Sequence, residues 1–444
     1  MQTSFSSLLR LTLASIVAGG LVGLVGGGFR FLLSLADGMR LGLALELHQW
    51  GGLGLLGLVA ATAFCAALAR WLVVRFAPIA AGSGVQHVEA VMRGEAEPVG
   101  PEVIPVKFFG GLLAIGSGMA LGREGPTVQM GAALGTICSR FLPGRPDHCT
   151  LNAAGAGAGL AVAFNAPIGG AIFVFEELAQ KFTATGAAAT LGASVTAIVV
   201  MRLMLGNPQE FSAGLPVELP VWQVLPYLLL GAALGLAGAL NNLLIEGVLY
   251  LSDHWRPGAS IVRAAGIGGF VGLAAWFWPA IVGGGESLMP ALLTPNIAVS
   301  QVALILLARF LIGPICFGAG TPGGIFAPLL VVGAAFGALF AEMINLALPF
   351  AALSTVGFAV VGMAAFFTAV VRAPFTGMVL AIEMTGRPDL VLGMLTASLA
   401  AILVTTACRS DPIYESLRKR MLADASWSYW SKRQASKEQG AAAP

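Results

Sequence analysis

The segment from Lys107 to Gly135 occurs a second time in this chain, from Arg309 to Gly337. Gly116, Gly118, Gly122, Pro126, Gly131 and Gly135 fall on Gly318, Gly320, Gly324, Pro328, Gly333 and Gly337 at one constant offset. A second pair of segments repeats the spacing of Ala166-Pro167, Gly170 and Glu176 as Ala373-Pro374, Gly377 and Glu383. Two similar halves follow, residues 11–205 and 221–410. The connector between them, residues 206–220, is rich in Pro, Gly and acids and reads as a surface loop.

Both halves are almost free of charge. Charged residues make up 10% of the chain and hydrophobic ones 57%, against about 25% charged in a soluble domain. Uncharged runs such as Leu11–Phe29, Gly51–Ala69, Cys149–Phe175, Phe310–Ala341 and Met343–Val371 are long enough to cross a bilayer. The pattern predicts an all-α integral membrane protein with many spans. Several runs exceed one span and are interrupted by Gly or Pro. They predict broken or re-entrant helices, tolerated at depth only where protein or a polar cavity covers the freed backbone. Matching interrupted segments in two halves point to a transporter-type fold with its site at the repeat interface. Spacing leaves open whether the halves are parallel or inverted.

The ends and the minor residue types add less. Residues 1–10 read as a short cytoplasmic N-terminus. The first apolar run lacks a small-residue cleavage site and reads as a retained span. A final helix is placed at 411–421 and a polar tail at 422–444, too short for an added regulatory domain. Arg418, Lys419, Arg420, Lys432, Arg433 and Lys437 favour a cytoplasmic C-terminus. The net charge of +2 carries no sign of a nucleic-acid partner. The five cysteines, and His48, His87, His148 and His254, show no metal-ligand spacing.

The repeat is most informative where its copies differ. Glu124, in Gly122-Arg123-Glu124-Gly125-Pro126, falls on Phe326 of Gly324-Ile325-Phe326-Ala327-Pro328. It is an acid set between two uncharged stretches, and an ionisable group at membrane depth is a functional candidate. The plainer reading is a local ion pair with Arg123. Glu176 falls on Glu383, a shared position that reads as capping or pairing within each half. Its neighbour Glu177 falls on Met384, so Glu177 is the better functional candidate. The plainer reading of Glu177 is a helix-end charge near Lys181.

Gly82-Ser83-Gly84-Val85, Gly122 to Pro126 and Gly324 to Pro328 each open onto an apolar stretch. Glycine permits the tight turn, and proline suits a first helical turn. Helix N-termini carry unpaired N–H groups and roughly half a positive charge. Three of them aimed at one point would hold an anion without a full cation, which allows release as well as binding. Each stretch alone reads better as close helix packing.

Taken together, GSGV at 82–85, GREGP at 122–126, Phe164-Asn165-Ala166-Pro167 followed by Glu176-Glu177, GGIFAP at 323–328 and Tyr414 resemble the CLC chloride channels and proton/chloride antiporters, in the bacterial form without CBS domains. Order and spacing match over nearly the whole chain. The resemblance implies two inverted halves with tilted, broken and re-entrant helices. It implies a homodimer with one pore per subunit in a lipid bilayer, in the bacterial inner membrane, with chloride and protons as substrates and no cofactor. The anion-binding set it implies is Ser83, Gly84, Gly122, Arg123, Gly125, Gly324, Ile325, Phe326, Ala327 and Tyr414. Ser83 and Tyr414 supply hydroxyls, and Ile325 and Phe326 supply backbone N–H groups. Glu124 is implied as outer gate and proton carrier, and Glu177 as inner proton relay. Where the family commonly reads GSGIP, this chain has Val85 and Gln86. Gln86 adds an N–H and a polar side chain at the start of an anion-facing helix.

The predicted function is chloride/proton antiport, with a passive anion channel of the same fold as the alternative. Ser83 and Tyr414 follow the chloride pattern rather than that of a fluoride exporter. A membrane hydrolase needs a nucleophile with a positioned base. Gly116-Ser117-Gly118 has neither the spacing nor a paired histidine, so the chain is not read as an enzyme.

Overall fold

A computed structural model describes residues 5–141, 148–207, 210–214, 220–254, 259–294 and 297–423. The tail residues Lys432, Arg433 and Lys437 lie outside the described residues. Among the described residues the regular structure is helical. In the first half α1 is Phe5–His48, α2 Gly51–Phe76, α3 Val85–Met92, α4 Val103–Gly116, α5 Glu124–Phe141, α6 His148–Phe164, α7 Pro167–Phe173 and α8 Ala184–Leu205. In the second, α9 is Val224–Asp253, α10 Ser260–Phe277, α11 Met289–Leu292, α12 Val299–Phe317, α13 Phe326–Ala347, α14 Thr355–Val371, α15 Pro374–Thr385 and α16 Val391–Ala407. The last helix, α17, is Ile413–Ala423. It begins after Pro412, two residues later than the sequence predicts.

Eight of the described helices are long and apolar enough to span a bilayer. Helix α1, with 44 residues, is about 66 Å long at 1.5 Å per residue and must tilt in a core of about 30 Å. The overlong runs break where expected. Cys149–Phe175 divides at Asn165, whose φ of 53° ends α6 before Pro167 starts α7. Phe310–Ala341 divides at the loop between α12 and α13. Large apolar side chains such as Leu13, Leu53, Leu203, Leu240 and Leu403 point outward, as a lipid-facing surface requires.

Small residues set the interior packing. A Cβ on Gly131 would lie 2.2 Å from the carbonyl oxygen of Gly155, and one on Gly155 would lie 2.2 Å from that of Gly131. The second half repeats this crossing with Gly333 and Gly362. Backbones approach this closely in a membrane only across glycine.

Two observations settle the relation between the halves. Gly122 and Gly324, equivalent residues, exchange backbone hydrogen bonds of 2.7 Å each way in an antiparallel bridge. Glu176, past the end of α7, accepts hydrogen bonds from Phe375 N and Thr376 N at the start of α15, at 3.0 and 2.6 Å. Glu383, near the end of α15, accepts from Ile168 N and Gly169 N at the start of α7, at 3.1 and 2.7 Å. Equivalent helices therefore run antiparallel, each capped by the other, and the halves are inverted. The shared glutamate pairs across the halves. The expectation of pairing within each half is corrected by this geometry, because an inverted copy brings each acid to the other copy's unpaired N–H groups.

Candidate functional site

The site is built where three loops meet. Gly82 N donates to Thr321 O at 3.1 Å, and Gly323 N donates to Gly82 O at 3.1 Å. With the Gly122–Gly324 bridge, these bonds stitch together the loops that open α3, α5 and α13. Gly125 completes the junction, since a Cβ there would lie 2.6 Å from Ser83 Oγ. Gly82 and Gly84 have φ of 64° and 90°, which L side chains adopt at a steric cost. Three helix N-termini thus share one small region.

A buried amine orients the first loop. Lys107 Nζ donates to Gly82 O at 2.7 Å and to Ser83 O at 2.9 Å. It draws both carbonyls to the side of the amine. The second half repeats this device. Arg309, the equivalent of Lys107, donates to Ile281 O, Gly283 O and Gly284 O at 2.7–3.0 Å. Gly283 and Gly285, with φ of 79° and 104°, copy the turn of Gly82 and Gly84. The sequence comparison missed this third repeated element because its offset differs by one residue. Its signal was Pro78, Gly82 and Gly84 recurring as Pro279, Gly283 and Gly285.

The hydroxyls of Ser83 and Tyr414 are buried without a hydrogen-bond partner of good geometry, and they lie within interaction range of each other. A buried unsatisfied hydroxyl is disfavoured, so a pair aimed at one place is a feature to explain. The ring of Tyr414 packs on Phe326 with centroids 5.7 Å apart. Phe326 also packs on Phe173 at 5.6 Å and Phe367 at 4.8 Å. Rings from both halves thereby enclose the start of α13.

Glu124 is the first residue of α5 and is 1% exposed. Its Oε2 lies 3.4 Å from Ala327 N in the first turn of α13, and its Oε1 has no hydrogen-bond partner. The predicted alternative, an ion pair with Arg123, is not among the described pairs. Arg123 bonds Glu210 at 2.6 Å, Glu286 at 2.8 Å and Ala163 O at 2.9 Å. Glu210 also pairs with Arg30. The Arg123 side chain, placed in the predicted anion-binding set, is therefore committed to carboxylates. Glu210 comes from the connector, which is fastened by Phe211 N to Met384 O at 2.9 Å and by Arg387 to Ala213 O at 2.7 Å. Neither Glu210 nor Glu286 was singled out in the sequence. A narrow cavity lined by Arg123, Glu124, Glu210, Glu286 and Ala327 opens on this face.

Glu177 lies toward the face that carries α17. It sits in a π-helical turn, Val174–Leu178, and is 7% exposed. Such turns recur at functional positions. Its charged neighbours are Glu89, Glu176, Arg93 and Glu415. Glu89 is held by Arg93 at 2.9 Å and by Arg418 of α17 at 3.2 Å. Both Glu124 and Glu177 are within electrostatic reach of the Tyr414 hydroxyl.

With this geometry in view, the comparisons are specific. Residues 65–406 match the family described as voltage gated chloride channel. The chain belongs to that family, the CLC family. Over 431 residues it is 38% identical to the H(+)/Cl(-) exchange transporter ClcA of Vibrio cholerae serotype O1, covering 95% of this chain and 91% of the relative. The protein of the same name from Cronobacter sakazakii is 37% identical over 425 residues, covering 94% and 90%. The structure of a slow cyanobacterial Cl-/H+ antiporter superposes with a TM-score of 0.89 at 31% identity, covering 94% of this chain and 99% of that one. A CLC-type fluoride/proton antiporter shares the fold, with a TM-score of 0.76 at 22% identity over 91% and 98% of the two chains. The CLC fold and its location as an integral membrane protein rest on both sequence and structure.

Proposed function

We propose that this CLC protein exchanges chloride for protons across the bacterial inner membrane. The observation that carries the reading is the position of Glu124, whose carboxylate lies at the N-terminus of α13 within electrostatic reach of the Tyr414 hydroxyl. A carboxylate there occupies the partial positive charge that would otherwise hold an anion. Protonation removes its claim on that charge and lets it swing toward the outer cavity. One side chain then competes with chloride and carries a proton, which couples the two movements. The anion is held by Ser83, Tyr414 and the backbone N–H groups of Ile325 and Phe326, with Gly84, Gly122, Gly125, Gly324 and Ala327 shaping the passage. Arg123 takes part through its backbone, since its side chain is bound to Glu210 and Glu286.

Glu177 relays the proton on the α17 side, which the basic residues of α17 mark as cytoplasmic. The names of the ClcA relatives and of the cyanobacterial structure support exchange. The protein works as a homodimer with one pore per subunit, each subunit made of two repeats joined by the connector at 206–220. The test is purified protein in liposomes with an imposed chloride gradient, reading proton uptake against the proton gradient. Chloride flux without proton movement would replace this reading with the passive channel.

A further inference from the structure

Gln86 replaces the proline that the family commonly places after GSGI, and exchange chemistry as described gives it no task. Its side chain folds back along α3, and Oε1 accepts a hydrogen bond from Gly84 N at 3.1 Å. Gly84 is the residue before the first turn of α3, and its neighbour Ser83 carries a buried hydroxyl within interaction range of that of Tyr414. On its other side Gln86 lines a cavity of about 220 Å³ on the α17 face. The cavity also meets Gly82, Arg70, Arg263, Arg420 and Asp253. Three guanidinium groups against one carboxylate favour anions there. Gln86 therefore stands between a cationic cavity and the loop that holds Ser83.

A proline at this position could place no oxygen on Gly84 N. The glutamine places a neutral oxygen there, tethered by its own backbone. The arrangement parallels that of Glu124, whose carboxylate oxygen approaches Ala327 N at the start of α13 from the opposite face. The outer oxygen belongs to a carboxyl group, which can gain or lose a proton. The inner one is a carboxamide that can leave only by a side-chain rotation.

We propose that Gln86 competes with chloride for the Gly84 N–H at the cytoplasmic approach to the site. This rests on the proposed exchange of chloride. An arriving anion must displace the carboxamide oxygen before it can use that donor. Each chloride that binds from the cytoplasm thus does so against an internal competitor, which lowers affinity on that side and slows turnover while leaving proton coupling untouched.

The test is chloride titration calorimetry on the full-length wild type and on Gln86→Ala, Gln86→Pro and Gln86→Glu, with exchange stoichiometry read in liposomes. Freeing one neutral hydrogen bond should tighten chloride binding roughly two- to tenfold in Gln86→Ala and Gln86→Pro. Proline is tolerated in a first helical turn, so that variant retains α3. Gln86→Glu, with a charged competitor, should bind chloride more weakly than wild type. Bromide-soaked crystals of Gln86→Ala should show an anomalous peak beside Gly84 N. Unchanged affinity in all three variants would overturn the proposal. So would weaker binding in Gln86→Ala, which would make the glutamine a donor to the anion. Both outcomes leave chloride exchange standing if the wild type binds and transports chloride. A wild type that binds none removes the exchange reading and this one with it.

Discussion

Two acids that the repeat does not share carry the chemistry proposed for this protein, and each makes a separate prediction. Glu124→Gln removes the charge that competes at α13 and the group that accepts the proton. Proton uptake driven by chloride should vanish in liposomes while chloride still moves. Retained pumping would refute the role. Glu177→Gln should also eliminate proton flux with chloride flux preserved, because proton transfer needs a titratable group within reach directly or through water. Glu176→Gln serves as its control, since that acid is spent on capping α15 and should leave coupling intact. A reversal of the two results would exchange the assignments. At Tyr414 the phenylalanine variant deletes only the hydroxyl, so chloride affinity should fall roughly two- to tenfold, as measured by calorimetry. The Glu124–Phe326 difference was legible in sequence because one acid stands alone among glycines and apolar residues. The docking of its carboxylate on Ala327 was not, since it depends on where a residue 203 positions away places an N–H of its helix's first turn.

The elements around the site are held by charges set against unpaired backbone and against each other. Glu176 and Glu383 each cap the partner helix with charge-assisted hydrogen bonds. Such bonds contribute about 1.5–3 kcal/mol each. Glu176→Gln and Glu383→Gln should therefore both lower thermal stability in detergent, with the larger loss at Glu176, which also accepts from Thr376 Oγ1 at 2.7 Å. A loss confined to one of them would contradict the two-fold relation. The connector is tied down by Glu210, whose side chain is 7% exposed and paired with both Arg30 and Arg123. Removing one partner of a buried pair is destabilising by about 3–5 kcal/mol, so Glu210→Ala should be among the least stable single variants. Glu286 is 38% exposed, and its alanine variant should lose far less. Equal melting shifts for the two would show that exposure does not separate them. Short α3 illustrates what the chain alone conceals. Its eight residues gain their role from Lys107, 24 residues beyond Ser83, which turns the preceding carbonyls away.

At the scale of the whole molecule the inverted repeat puts like loops face to face and leaves α17 on one side. Cys408 is exposed at the end of α16 beside Arg409. In a variant that keeps only this cysteine, a membrane-impermeant thiol reagent should label inverted vesicles and spare intact cells. Labelling of intact cells would reverse the orientation. The sequence by itself determined that the chain spans a membrane, that it consists of two related halves, and which residues break the relation. Those properties are written in runs of apolar residues and in recurring Gly and Pro, which act locally: a span needs length without charge, and a tight turn needs glycine. Tertiary structure alone decided the inverted orientation of the repeats, the partners of Arg123, and the capping of α7 and α15 by each other's glutamates. It also decided the return of Gln86 onto Gly84. Each of these depends on which unpaired N–H or guanidinium a side chain meets. Within the membrane that partner must come from another part of the protein, because no water is there to satisfy it.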